Sequence, residues 1–172
     1  EVVYLLGADE IDTDRLGDAF VIYQGHHGDR GAHRADVILP GAAYTEKNAT
    51  YVNTEGRVQQ AQRAVFPPGD AREDWTVIRA LSDVFGQPLP YDDLKMVRGR
   101  LVDANSAFLN VDEITPAPWG DFGKEGEPSS APLRSPIDNF YMTDPISRAS
   151  ATMAACTEQL GGGAGKKTGT DG

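Results

Sequence analysis

The chain has 172 residues with 26 Asp and Glu against 16 Lys and Arg, a formal charge of −10, and a charged fraction of 24% that is ordinary for soluble proteins. Scattered bases outnumbered by acids exclude a phosphate-neutralising nucleic-acid surface. A single cysteine, Cys156, excludes a disulfide framework and a four-thiolate iron–sulfur cage built from this chain alone. There is no leader of basic then apolar residues, and no apolar run nears the roughly 20 residues of a bilayer span.

Glu1 runs directly into the apolar segment Val2–Leu6, so the start reads as a cut inside a domain. That segment reads as a buried strand ending at Gly7, and Phe20, Val21, Ile22 and Tyr23 as a second, joined by a polar connection carrying Asp12, Asp14 and Asp18. Val37, Ile38 and Leu39 form a third, stopped by Pro40-Gly41, with a helical turn expected between Asp29 and Asp36. Such short apolar strands imply a parallel sheet, whose ligands sit beyond the carboxyl ends of the strands. Gly7–Asp9, Gln24–Gly28 and Pro40–Gly41 leave those ends.

His26, His27 and His33 lie close together in a glycine-rich stretch, which invites a metal reading. The competing reading is loop histidines bonded to neighbouring backbone, and it is the stronger, because a zinc site also needs placed Cys or carboxylate partners. The same glycines lack the Gly-Lys-Ser/Thr end of a P-loop and the dinucleotide spacing. Asn48-Ala49-Thr50 fits a glycosylation acceptor but has no secretory context.

Ala49–Asn53 and Arg57–Gln59 read as a hairpin turning at Glu55-Gly56. A helix is expected from Asp70, with Asp70 as cap, Glu73 completing a capping box, Trp75, Ile78, Leu81 and Phe85 on its apolar face, and Gly86 as its stop. Trp75 reads as core. A second helix starts near Asp92 with Leu94, Val97 and Leu101 in phase, weakened by Gly99. Residues 111–136, rich in Pro and Gly, read as a surface linker. Asn139–Met142 looks extended, and Asp144-Pro145 opens a helix expected to run to Leu160. Residues 161–172 read as a disordered tail.

The runs Tyr23-Gln24-Gly25-His26-His27-Gly28-Asp29, Ala35–Lys47 and Thr50–Arg57, with Arg72–Trp75 and the ending Asp138–Ser150, together resemble the family of the largest iron–sulfur subunit (75 kDa, G-type) of respiratory complex I, NADH:quinone oxidoreductase. The resemblance spans about Glu1 to Cys156. Ala35–Pro40 and Asn53–Arg57 are also similar to molybdopterin-dependent oxidoreductases in general, so they mark the superfamily; the histidine loop and Phe140-Tyr141-Met142-Thr143-Asp144 point to complex I. The fold this implies is α/β: an incomplete parallel, Rossmann-like sheet with flanking helices and a small hairpin. Residues 1–110 would be the C-terminal part of a molybdopterin-oxidoreductase-like domain, 111–136 a linker, 137–160 a docking segment and helix, and 161–172 the tail.

The implied function is a non-catalytic structural portion of the peripheral-arm subunit, supporting NADH-to-quinone electron transfer coupled to proton translocation. The [4Fe–4S] and [2Fe–2S] clusters would belong to an N-terminal region outside this chain, and no catalytic or metal-binding residue is expected within it. Asn53, Glu55 and Arg57, with Asp36, Pro40 and Glu46, read either as relics of pterin-nucleotide recognition or as residues that set the strand end and the hairpin; the second reading is favoured. Phe140, Tyr141 and Met142 are docking candidates. The partners implied are other peripheral-arm subunits, including the NADH/FMN-binding one. The location implied is peripheral, on the cytoplasmic face of a bacterial inner membrane or the matrix face of the mitochondrial one. The alternative is part of an active molybdopterin enzyme such as a formate dehydrogenase.

Overall fold

A computed structural model describes residues 1–116, 118, 120–133, 135 and 137–160. The chain divides into two units, Glu1–Thr115 and Pro116–Gly172. In the first, β1 (Val2–Leu6), β2 (Phe20–Gly25) and β3 (Val37–Pro40) make a parallel sheet in the order β1-β2-β3. A 3-10 turn at Thr13–Leu16 links β1 to β2, and α1 (Arg30–Arg34) links β2 to β3. Register sets Val3 beside Val21 and Leu5 beside Tyr23. Parallel partners share a face, and this one carries the core of Leu5, Val21, Tyr23 and Ala32, with Val3, Ala8, Leu16 and Ala35 against it. On the opposite face Val2, Leu6, Phe20 and Val37 remain between 39% and 66% exposed. Parallel sheets are normally covered on both faces, so this one has an unsatisfied apolar side.

The hairpin pairs β4 (Ala49–Val52) with β5 (Val58–Ala61) antiparallel. Its turn works because Gly56 takes φ +84°, a left-handed conformation that costs a side chain dearly. Beyond it, Val58 is buried and bridges Val111.

The helix expected from Asp70 instead begins four residues later, as α2 (Asp74–Val84) with Glu73 at its cap position. The backbone of Arg72 is already engaged: its amide donates to the Pro40 carbonyl at 3.1 Å and its carbonyl accepts from Ala42 at 2.8 Å. Trp75 is half-buried rather than core, and Phe85 is 71% exposed, so the buried stripe is shorter than the periodicity implies. Gly86 ends the helix at φ +70°. α3 (Leu94–Ala104) follows, capped by Asp93, whose Oδ1 accepts from the Met96 amide at 2.7 Å.

In the second unit the described residues from Pro116 to Asp138 hold neither helix nor strand and are exposed. Asn139–Met142 is a turn, not an extended segment: the Met142 amide donates to the Asn139 carbonyl, and Asn139 Oδ1 accepts from the Tyr141 amide at 3.0 Å. The single helix expected after Asp144 is two, α4 (Pro145–Arg148) and α5 (Ala151–Leu160). Ser150 separates them and starts the second, accepting from Ala154 on its carbonyl and from Met153 on its hydroxyl. The tail expected over residues 161–172 lies outside the described residues.

Candidate functional site

The carboxyl ends of the three parallel strands gather the most buried polar groups of the first unit. Gly7 follows β1 with φ +58°, turning the chain so that Asp9 comes back beneath β2. Asp9 is 2% exposed; its Oδ2 accepts from the Tyr23 hydroxyl at 2.9 Å and its Oδ1 from the Gly31 amide at 2.9 Å. This carboxylate therefore ties the strand end to the first turn of α1. A Cβ on Gly31 would lie 2.6 Å from Tyr23 Cδ2 and 2.9 Å from Asp9 Oδ1, so only glycine fits there.

Gln24 is fully buried. Its Nε2 donates to Asp74 Oδ1 at 2.9 Å, and its Oε1 accepts from the Tyr4 hydroxyl. Asp74 in turn binds Lys47 Nζ at 2.5 Å. Burial, then the nearby Asp74 carboxylate, pushes the Tyr4 hydroxyl above its ordinary pKa. One residue before Asp74, Glu73 accepts from the Asn48 amide at 3.2 Å and from Trp75 Nε1 at 2.9 Å. Each strong polar group at the strand ends thus meets an internal partner, as buried polar groups must.

His26 and His27 extend from the end of β2 with their Nδ1 atoms 2.6 Å apart, so one nitrogen carries a proton that the other accepts. Burial foremost, then His27 and Lys47, lowers the pKa of His26, against the opposing pull of Asp74 and Asp9. The pair lines a cavity of about 370 Å³ with Gly25, Gly41, Glu46 and Asp70. Glu46 Oε2 accepts from the Ala43 amide at 2.9 Å. His33 sits in α1, apart from that loop. Among the described residues no group of three or more His, Cys, Asp and Glu is disposed to hold a metal ion.

Asn53, Glu55 and Arg57, singled out by sequence, are together at the hairpin turn, outside the strand-end cavity. Asn53 Oδ1 accepts from the amides of Glu55 and Arg57, both at 3.0 Å; Glu55 Oε2 stands 3.5 Å from Arg57 Nε. Arg57 also reaches the Asp112 carbonyl. Asp36 Oδ2 accepts from the Val21 amide at 2.7 Å, and Pro40 closes β3. Phe140 is 77% exposed and meets Tyr141 edge-on at 5.7 Å, while Tyr141 and Met142 are half-buried. The Gln24–Asp74–Lys47 chain escaped sequence reasoning. The signal for it was a glutamine inside an otherwise apolar strand, which needs a partner.

This arrangement, a small parallel sheet with its strand-end polar groups tied up internally, is accompanied by two family matches. Residues 1–84 match the molybdopterin oxidoreductase family, and residues 113–156 match the family of the C-terminal region of the NADH-ubiquinone oxidoreductase G subunit. The first stretch is thus similar to molybdopterin oxidoreductases and the later one to the C-terminal region of the complex I G subunit. The 78 kDa subunit of mitochondrial NADH-ubiquinone oxidoreductase from Candida albicans is 53% identical, over 92% of this chain and 24% of its own length. The mitochondrial NADH dehydrogenase [ubiquinone] iron-sulfur protein 1 of Solanum tuberosum is 49% identical, over 92% and 22%. The G subunit of the NADH-quinone oxidoreductase of Rickettsia felis is 48% identical, over 92% and 24%. The chain belongs to the family of the complex I 75/78 kDa subunit and spans about a quarter of the length of these relatives. Among its described residues no helix is long and apolar enough to cross a membrane.

Proposed function

We propose that this chain is a non-catalytic structural portion of the peripheral-arm iron–sulfur subunit of NADH:quinone oxidoreductase, supporting NADH-to-quinone electron transfer coupled to proton translocation. The observation that carries the reading is near-50% identity to such subunits over nearly the whole chain. The geometry supports the scaffold role. Catalysis needs a nucleophile, an acid–base pair or a redox centre aimed into a pocket. Here Asp9, Gln24, Glu73 and Asp74 are taken up by backbone amides and neighbouring side chains.

The iron–sulfur clusters implied for the parent do not fit these residues: Cys156, half-buried in α5, is one thiolate where a cluster needs four. They fall to other parts of the parent subunit. The sheet is the incomplete, Rossmann-like remainder of a molybdopterin-oxidoreductase-like domain over residues 1–110, with 111–136 as linker and 137–160 as docking segment. Within that segment Phe140, Tyr141 and Met142 engage a neighbouring peripheral-arm subunit, in an arm that includes the NADH/FMN-binding subunit. The location is peripheral, on the matrix or cytoplasmic face of the inner membrane.

The match of residues 1–84 favours a second reading, an active molybdopterin enzyme such as a formate dehydrogenase with Asn53, Glu55 and Arg57 on the pterin nucleotide. Metal analysis of the full-length parent separates the two. Iron and sulfide without molybdenum or tungsten is the expected result; either metal in stoichiometric amount overturns the scaffold reading. A second arm is kinetic. Asn53→Ala with Arg57→Ala should reduce the amount of assembled complex and leave turnover per assembled complex unchanged.

A further inference from the structure

We infer that residues 110–115 form a slack-storing loop, clipped to the hairpin by Arg57, that opens under pull and lengthens the tether to the docking segment. The inference rests on the docking reading only for what does the pulling. The loop is closed on itself: Asn110 Nδ2 donates to Thr115 Oγ1 at 2.9 Å, and the Glu113 amide donates to the Asn110 carbonyl at 3.2 Å. It is fastened to the start of β5 chiefly through Asp112, which is gripped on both sides. The Asp112 amide donates to the Val58 carbonyl at 2.7 Å, and the Asp112 carbonyl accepts from the Arg57 guanidinium. Backbone bridges of Val58 with Val111 and of Arg57 with Ile114 flank the clip. Arg57 is a fixed post, since Asn53 Oδ1 accepts from its amide and Glu55 Oε2 stands 3.5 Å from its Nε.

Two features make the clip releasable. Asp112 has φ +65°, the one positive value at a non-glycine among the described residues, a left-handed conformation that an L residue keeps while bonds on either side of it hold. Asp112, Glu113, Ile114 and Thr115 are exposed, with Val111 alone half-buried, so water replaces each hydrogen bond that is lost and the loop can open without the rest of the unit. Its position suits a store of slack. The first unit ends at Thr115, and the described residues from there to Asp138 hold neither helix nor strand, so a pull along that run meets the Asn110–Thr115 pair first and the Asp112 clip next. The Asn110 amide donates to the Ala107 carbonyl at 3.1 Å, which anchors the upstream end. Opened, residues 111–115 add at most about 17 Å to the tether, the extended reach of that many residues.

The test is hydrogen exchange, read by mass spectrometry, on the full-length parent in its assembled complex. The Asp112 and Glu113 amides should exchange well ahead of those of β2, and Arg57→Ala should speed them by about tenfold, the effect of losing one hydrogen bond from a charged donor, with β2 unchanged. Asp112→Pro cannot take a positive φ and should free the Glu113 amide fully, again without touching β2. The slack role is read from a deletion in the exposed run. Removing residues 123–127 should leave residues 139–160 docked and protected, and should raise exchange at Asp112 and Glu113 as the loop gives up its length. Exchange at Asp112 that ignores Arg57→Ala, or that follows β2, overturns the clip. Unchanged exchange in the deletion, with residues 139–160 still protected, overturns the slack role. Residues 139–160 exchanging freely in the undeleted complex would overturn the docking reading and the slack role with it, while Arg57→Ala, which acts on the loop whether or not anything pulls, still decides the clip.

Discussion

Gly31 and Gly99 are both helical glycines, yet opposite consequences follow from replacing them. A methyl on Gly31 would press into the Tyr23 ring and Asp9, and both of those are buried and bonded to each other. Gly31→Ala should therefore destabilise by about 1–3 kcal/mol, the usual cost of overpacking a filled core. Gly99 has open space around its Cβ position, and there Ala should stabilise by about 0.5–1 kcal/mol through helix propensity. Thermal denaturation of the two variants in the full-length parent checks the sign reversal. His26 supplies a pH dependence. Its folded pKa is depressed, chiefly by burial, so the unfolded chain takes up the proton first. Stability from this group is then fully present above about pH 6.5, the unperturbed value, and is lost as pH falls through the lower folded value. The protection of the Gly25–Gly28 amides, taken relative to their intrinsic exchange rate at each pH, should fall across that window, and His26→Asn should remove the effect.

At the level of elements, what the sequence disclosed depended on whether a signal was local. The three strands were legible because apolar runs bounded by Gly7, Gly25 and Pro40-Gly41 carry both their length and their ends. The hairpin was legible because Gly56 is where a positive φ must fall. α2 was misplaced at its start because Asp70 and Glu73 imitate a capping box, whereas the Arg72 backbone is bonded to Pro40 and Ala42, a tertiary pairing that no local pattern reveals. The Gln24–Asp74–Lys47 chain is hidden for the same reason, since its members are far apart in sequence. The turn at Asn139 and the break at Ser150 were readable in principle, because Asn and Ser side chains compete for backbone amides. Asp144 is a cap that sequence and structure place alike. Its carboxylate accepts from the amides of Ile146 and Ser147 and from the Ser147 hydroxyl, and those hydrogen bonds, led by the one from the hydroxyl, hold its pKa below the ordinary value. Asp144→Ala should cost about 1 kcal/mol of local stability and unprotect the Ile146 and Ser147 amides in hydrogen exchange. Unchanged protection at both would contradict the capping role.

The first unit, considered whole, buries one face of its sheet and leaves most of the other to solvent, where only the strand-end position of Gln24 is fully buried. Val2, Leu6, Phe20 and Val37 form an exposed apolar set, and the outer edges of β1 and β3 carry no further strand among the described residues. Both features are tolerable in an assembled protein, where neighbouring elements cover the face and continue the ladder. They are liabilities for the unit alone, since open strand edges template association and a bare apolar face promotes it. Its fully buried apolar set is small, centred on Leu5, Val21, Tyr23 and Ala32. So small a core must offset the conformational entropy of a long chain, which on the order of 1–2 kcal/mol per residue resists ordering. Residues 1–110 expressed alone should consequently form a loosely packed species, with a broad thermal transition, strong binding of an apolar dye, and concentration-dependent association. Leu6→Lys combined with Phe20→Lys should reduce dye binding and association in the isolated piece, since both side chains stand on its bare face, and a lowered yield of assembled complex in the parent would show that the face is covered there. A sharp two-state transition of the isolated piece, with calorimetric and van't Hoff enthalpies equal, would show instead that the hydrogen-bonded cluster at the strand ends suffices to hold the sheet.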